Sequence, residues 1–366
     1  MTEPRPFTPD WVSPPGDTIA DLLEERGWTQ AEFAERTGFT RKHVNDLVKA
    51  RASITGDTAS RLSATLGAPV EFWLTREAQY QSAVEHRRSL DALRSDAGWL
   101  SELPLAWMVN QGWVRRASHR GEQVLECLRF FAVASVDAWR ERYTQPLAAY
   151  RASGKFDMKL GAVAAWLRQA EREATDIQCA PYNKAAFRQA LPALRALTQE
   201  PDPQVFIPRV RATCASCGVA VVFVPAPPGC PVHGVTRWLT TDKAMLALSL
   251  RYKTNDQLWF SFFHESCHVL KHARKHAFIE GLDGLDPTLE EEANRFAGEL
   301  LIPPAEVSLL STLRTEAQVE ALAARLGIAP GILVGRMQKE GWVEWRSFLN
   351  KLKVRYAWAS EDESDG

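Results

Sequence analysis

The chain has 366 residues, of which 45% are hydrophobic and 24% charged, and a formal net charge of −1. This length exceeds one ordinary core, so two or three domains are expected, and the near-neutral charge gives no global case for nonspecific nucleic-acid binding. No apolar run approaches membrane-spanning length, the N-terminal MTEPRPFTPDWVSPPGD lacks the basic and apolar regions of a secretory signal, and six cysteines in so long a chain make no disulfide scaffold; a reduced, cytoplasmic protein with no membrane partner is expected.

A proline-rich lead ends near Pro15, and residues 16–80 read as several short amphipathic helices. Thr29-Gln30 opens a helix with Ala31, Phe33 and Ala34 on its apolar side. Gly38 supplies a turn, and Thr40 N-caps a second helix that turns Val44, Leu47 and Val48 inward. This spacing is that of a helix-turn-helix. Arg41, Lys42, His43 and Asn45, with Thr40 at the cap, then stand at the start of the recognition helix, where base edges are read. Gln30 is placed to meet a phosphate. The competing reading is a small helical bundle with no DNA role, because residues 1–80 hold nine Lys/Arg against twelve Asp/Glu, a balance of −3. Basic charge is nonetheless local: Arg41, Lys42, Lys49 and Arg51 oppose only Asp46 in that stretch. The segments GWTQAEFAERTG and ITGDTASRLSATLGAPVEFW resemble Xre-type regulators and HigA-like antitoxins. The resemblance implies binding to an operator, such as the protein's own promoter, as a homodimer.

Residues 83–200 read as helical, through stretches such as GAVAAWLRQAEREA, and show no catalytic constellation. They are expected to form a connector or sensing domain. QEPDPQ marks a boundary. Beyond it, GVAVVFVPAPPG reads as a strand with a Pro/Gly turn, and RWLTTDKAMLALSLRYK as further strand. MLALSLRY is expected to be an edge strand able to hold a peptide by strand addition. Cys214, Cys217, Cys230 and His233 have tolerable zinc-ribbon spacing, but Cys217-Gly218 runs directly into a strand where a ribbon needs a knuckle.

Helices return near Gln257, where FSFFHESCHVLKH places two histidines four residues apart, about 40° apart around a helix axis. Two imidazoles on one face can share a zinc ion, and Glu265 falls beside them as a candidate general base. The flanks are apolar almost all round, so the helix is expected to be buried, and a buried polar trio needs partners. The bland alternative is a chance HExxH with two satisfied core histidines. A metzincin would need Gly at 271 and His at 274; Lys271 and Arg274 exclude that class. A third ligand is better sought on DPTLEEEANRFAGELLIPP, a helix with Asp286 as N-cap, Pro287 in the first turn and a stop before Pro303-Pro304. Its apolar residues form one arc. Glu290 lies at the edge of that arc, Glu291 points away and Glu292 sits at the far margin, so Glu290 is the expected third ligand. Asn294, one turn on, is placed to orient a ligand histidine.

HExxH followed by EEEANRFAGELLIP resembles the ImmA/IrrE family of gluzincin-like metallopeptidases over about residues 205–350. That resemblance implies zinc on His264, His268 and Glu290, a catalytic Glu265, and cleavage of a specific regulatory protein, often a repressor or antitoxin, in stress response, mobile-element control or a toxin–antitoxin setting. Ser266-Cys267 departs from the family, which commonly has small or apolar residues there, and sets a thiol beside the metal. The expected fold is mainly α: a helix-turn-helix bundle (1–82), a helical connector (83–200), an α+β gluzincin-like metallopeptidase domain (201–352) and an acidic tail (353–366). The rival function is a DNA-binding repressor or antitoxin whose peptidase-like domain does not cleave.

Overall fold

A computed structural model of the chain describes residues 13–144, 159–272, 278–280 and 287–358. The lead before residue 13, Asp286 and the SEDESDG tail lie outside the described residues. The chain forms two compact units, one drawn from 1–97 and 118–125, the other from 98–117 and 126–366. Among the described residues, no single helix is long and apolar enough to cross a membrane.

The first unit is helical: α1 (Pro15–Glu25), α2 (Gln30–Thr37), α3 (Arg41–Val48), α4 (Gly56–Leu66) and α5 (Val70–Leu93). Its starts are written in side chains. The hydroxyls of Thr29, Thr40 and Thr55 accept hydrogen bonds from the backbone N–H of Glu32, His43 and Thr58, capping α2, α3 and α4. Gly38, at φ 71°, ends α2 in the left-handed region that turns the chain into α3. Ile19, Phe33, Val44, Leu47, Leu62 and Trp73 close one core beneath these helices.

The second unit is α+β. Its helices are α6 (Leu105–Asn110), α7 (Arg120–Phe131, shared with the first unit), α8 (Val136–Trp139), α9 (Leu160–Asp176), α10 (Lys184–Ala196) and α11 (Pro203–Ala215). Then come β1 (Val219–Phe223), β2 (Gly234–Thr240), β3 (Lys243–Leu248), α12 (Asn255–Lys271), β4 (Phe278–Glu280), α13 (Pro287–Leu301), α14 (Pro304–Leu310), α15 (Glu316–Leu326) and α16 (Pro330–Lys339). The sheet order is β1-β3-β2-β4, with β1 parallel to β3 and the other pairs antiparallel. RWLTTDKAMLALSLRYK therefore resolves into parts of two strands joined at Thr241-Asp242. The expected edge strand is corrected: β3 is central, hydrogen-bonded to β1 on one side and β2 on the other. Its run from Ala244 to Leu248 is buried throughout, the pattern of a strand covered on both faces.

α12 runs through the core of this unit, buried continuously from Ser261 to Leu270. A polar clasp fixes its N-terminal end. Lys353 Nζ donates to Asp256 Oδ2 and to Gln338 Oε1, both at 2.7 Å. Asn255 Oδ1 accepts from Val354 N at 3.2 Å, and Asn255 N donates to Val354 O at 2.9 Å. α16 comes close enough to complete the clasp because residue 335 is glycine: a Cβ there would lie 2.3 Å from Asp256 Oδ2.

Candidate functional site

In the first unit, the structure brings the helix-turn-helix residues onto α2 and α3. Arg41 and Lys42 are exposed in the first turn of α3, and His43 and Asn45 are half-buried beside them. Gln30, the first residue of α2, is exposed. The Thr40 hydroxyl is committed to the cap, and the His43 ring packs edge-on against Phe39, 4.8 Å between centroids.

In the second unit, α12 and α13 lie side by side and bring three donors together. His264 Nε2 and His268 Nε2 are 3.0 Å apart. Glu290 places Oε2 3.3 Å from the first and Oε1 3.3 Å from the second. These three residues form a cluster able to hold a metal ion. A tetrahedron with arms of about 2.0–2.1 Å has edges of about 3.3–3.4 Å; each imidazole lies at that distance from its own Glu290 oxygen, and two imidazoles with a carboxylate are a donor set that zinc accepts.

The outer contacts set the tautomers. His264 Nδ1 lies 3.1 Å from Asn294 Oδ1; a proton on Nδ1 donated to that oxygen leaves the Nε2 lone pair facing inward. His268 Nδ1 lies 2.7 Å from His272 Nδ1, and His272 Nε2 lies 3.3 Å from Glu292 Oε2. With His272 donating to Glu292 and accepting from His268, the second Nε2 also presents a lone pair. Two lone pairs and a carboxylate then converge, and they need a shared positive charge, a proton or a divalent cation. Burial would raise the Glu290 carboxyl, but where the two imidazoles carry the shared proton on Nε2, their hydrogen bonds to Glu290 outweigh burial and hold the group at about 2. Burial pushes His268 below the usual imidazole range, against the opposing pull of Glu290. An ionised carboxylate beside a neutral imidazole is the state metal binding requires.

Glu265 is fully buried and is held by β2: Thr236 Oγ1 lies 2.6 Å from its Oε2 and 3.1 Å from its backbone oxygen. Strand and helix approach this closely because residue 234 is glycine, where a Cβ would lie 2.8 Å from Glu265 Cγ. Cys267 is fully buried, and that burial pushes its thiol up to about 12, so it stays protonated rather than competing as a thiolate. On α13, Glu291 is exposed, and Glu292 pairs with Lys271 at 2.8 Å as well as with His272. Sequence reasoning missed Thr236, Gly234 and the His272–Glu292 support. His272 alone carried a signal, by lying one further turn along the histidine face.

Residues 19–73 match a family model described as helix-turn-helix, and residues 230–338 match one described as IrrE N-terminal-like domain. Two solved structures are similar to parts of the chain. One is an addiction module antidote protein of a HigA family from Coxiella burnetii, 24% identical, covering 23% of this chain and 92% of its own, with a TM-score of 0.21. The other, from Nostoc punctiforme, is provisionally described as an antidote protein of a plasmid maintenance system; it is 28% identical and covers 25% of this chain and 97% of its own, also with a TM-score of 0.21. Comparison with curated proteins gives no match. The N-terminal region is thus similar to helix-turn-helix domains and the C-terminal region to IrrE N-terminal-like domains.

Proposed function

We propose that this chain is a zinc-dependent regulatory endopeptidase that carries its own DNA-binding module and cleaves a specific regulatory protein, a repressor or an antitoxin. The observation that carries the reading is the convergence of His264 Nε2, His268 Nε2 and the Glu290 carboxylate at 3.0–3.3 Å, with Glu265 beside them on α12. His264, His268 and Glu290 would hold the zinc, with Asn294 and His272–Glu292 orienting the two imidazoles. When bound, zinc supplies Lewis acidity to a peptide carbonyl and to the attacking water. Glu265 takes a proton from that water at its carboxylate and returns it to the leaving amine. Thr236 fixes the carboxylate's direction, and the apolar wall of Phe262, Phe263 and Val269 keeps bulk water from the helix.

At the other end, α3 is the reading helix. Arg41 and Lys42 meet DNA, with His43, Asn45, Thr40 and Gln30 in support, and a homodimer spans the two half-sites of an operator. The protein works in the cytoplasm, where its DNA and its protein substrate both lie.

The test is Glu265→Gln, co-expressed with candidate partners encoded by the neighbouring genes. The variant should fold, keep zinc and bind its promoter, while cleavage of the partner falls about 10²–10⁴-fold. Processing at the wild-type rate sinks the catalytic assignment. If neither form cleaves anything while both regulate transcription, the rival reading of a non-cleaving repressor or antitoxin replaces it.

A further inference from the structure

In the second unit, a cavity of about 220 Å³ lies between the start of α12, the end of α13 and α16. Phe260, Leu301, Ile302, Ile332 and Trp345 give it apolar walls, and Asp256, Arg336 and Lys339 are its charged residues. Two glycines bring the walls together. A Cβ at Gly298 would lie 2.8 Å from Arg336 Nη1, and one at Gly335 would lie 2.3 Å from Asp256 Oδ2. Neither Glu265 nor any member of the donor triangle lines the cavity.

The charged residues have bonding capacity left over. Asp256 Oδ2 is taken by Lys353, but Asp256 Oδ1 is buried with no hydrogen-bond partner among the described residues. Arg336 Nη2 pairs with Glu340 at 2.8 Å, and its Nε is likewise buried without a partner. Lys339 has no ion-pair partner among the described residues; its Nζ stands 5.0 Å from the centre of the Phe260 ring. A buried polar atom left unmatched is costly, and a bound molecule can supply the missing partner. The unmet acceptor and the cation are one helical turn apart, about 5.4 Å. Asp256 and Phe260 are four residues apart on α12, and Gly335, against Asp256, is four before Lys339 on α16.

We propose that this cavity binds a free apolar α-amino acid of about the size of leucine. The ammonium donates to Asp256 Oδ1, the carboxylate accepts from Arg336 Nε and Lys339 Nζ, and the side chain fills the space among the apolar walls. An acceptor and a cation one turn apart match the two charges of a zwitterion; a simple carboxylate or a simple amine satisfies only one of them. The volume agrees. An apolar cavity of about 150 Å³ holds the six heavy atoms of benzene, so 220 Å³ holds about nine, the number in leucine. The test is isothermal titration of the full-length protein. L-Leucine should bind with a Kd below about 1 mM. Isocaproate, which lacks the ammonium, and isoamylamine, which lacks the carboxylate, should each bind at least about tenfold more weakly. Lys339 is exposed, so Lys339→Glu should fold and lose leucine binding, while Lys339→Arg should keep it. Trp345→Ala, which removes an exposed wall, should weaken it. No binding of leucine, isoleucine or phenylalanine overturns the proposal, as does either truncated analogue binding as tightly as leucine, or an affinity unchanged in Lys339→Glu. N-acetyl-leucinamide, which mimics a leucine inside a peptide, should not bind; binding equal to that of leucine would assign the cavity to a peptide segment and overturn the free amino acid. The titration requires neither zinc nor cleavage, so its outcome is independent of the peptidase reading.

Discussion

α3 and α12 both carry candidate functional side chains in their opening or middle turns, and they treat those side chains in opposite ways. On α3, Arg41 and Lys42 are exposed; they cost the fold almost nothing, and the helix is held by Val44 and Leu47 beneath and by the Thr40 cap. On α12, His264, Glu265 and His268 are at most 1% exposed, and every polar atom there must be matched by a partner, most of them from other elements. Thr236 comes from β2, Asn294 and Glu290 from α13, and Lys353 secures the helix end. An exposed site can be altered without disturbing the structure that displays it. A buried one is built jointly with its fold, and changes there are felt in both.

That contrast can be broken most forcefully at the clasp of α12. Lys353 and Asp256 are both almost fully buried and lie 2.7 Å apart. Lys353→Met would leave a carboxylate and the Gln338 oxygen without their cation, and removing one partner of a buried pair costs about 3–5 kcal/mol. Chemical denaturation of the full-length protein should show that loss in the second unit; a change under about 1 kcal/mol would mean the pair is better solvated than its burial implies. A smaller effect, confined to function, is expected on α3. Arg41→Ala/Lys42→Ala should weaken binding to the protein's own promoter by about 1–3 kcal/mol per lost base contact, read in a gel shift, with thermal stability unmoved. A drop in stability comparable with that of the clasp variant would erase the distinction between the two helices. The smallest change tests the cap. Thr40→Ala removes the acceptor for His43 N and should cost the first unit about 1 kcal/mol, with DNA affinity following only as far as the helix start frays.

The two helices also differ in how much of them could be read in advance. The caps, the Gly38 turn and the inward Val44 and Leu47 were legible because each is set by residues within a few positions. The His264–His268 face and the direction of Glu290 were legible for the same reason, since helical periodicity fixes which residues share a side. The residues that complete the buried site were not. Thr236 lies 29 positions from Glu265 and meets it only because β2 packs on α12, and Gly234 matters only for that approach. The position of β3 was misjudged although it had a signal: five consecutive apolar residues, Ala244 to Leu248, suit a strand enclosed on both faces better than an edge. Lys353, 97 positions from Asp256, carried no local pattern.

Metal content tests the account at its centre. Elemental analysis of the purified wild type should find one zinc per chain. Glu290→Ala, which removes the carboxylate 3.3 Å from both imidazoles, should lose most of it, and Glu291→Ala, altering an exposed neighbour on the same turn, should keep it. Zinc absent from the wild type, or lost equally from both variants, would contradict the assignment of His264, His268 and Glu290 as a metal centre.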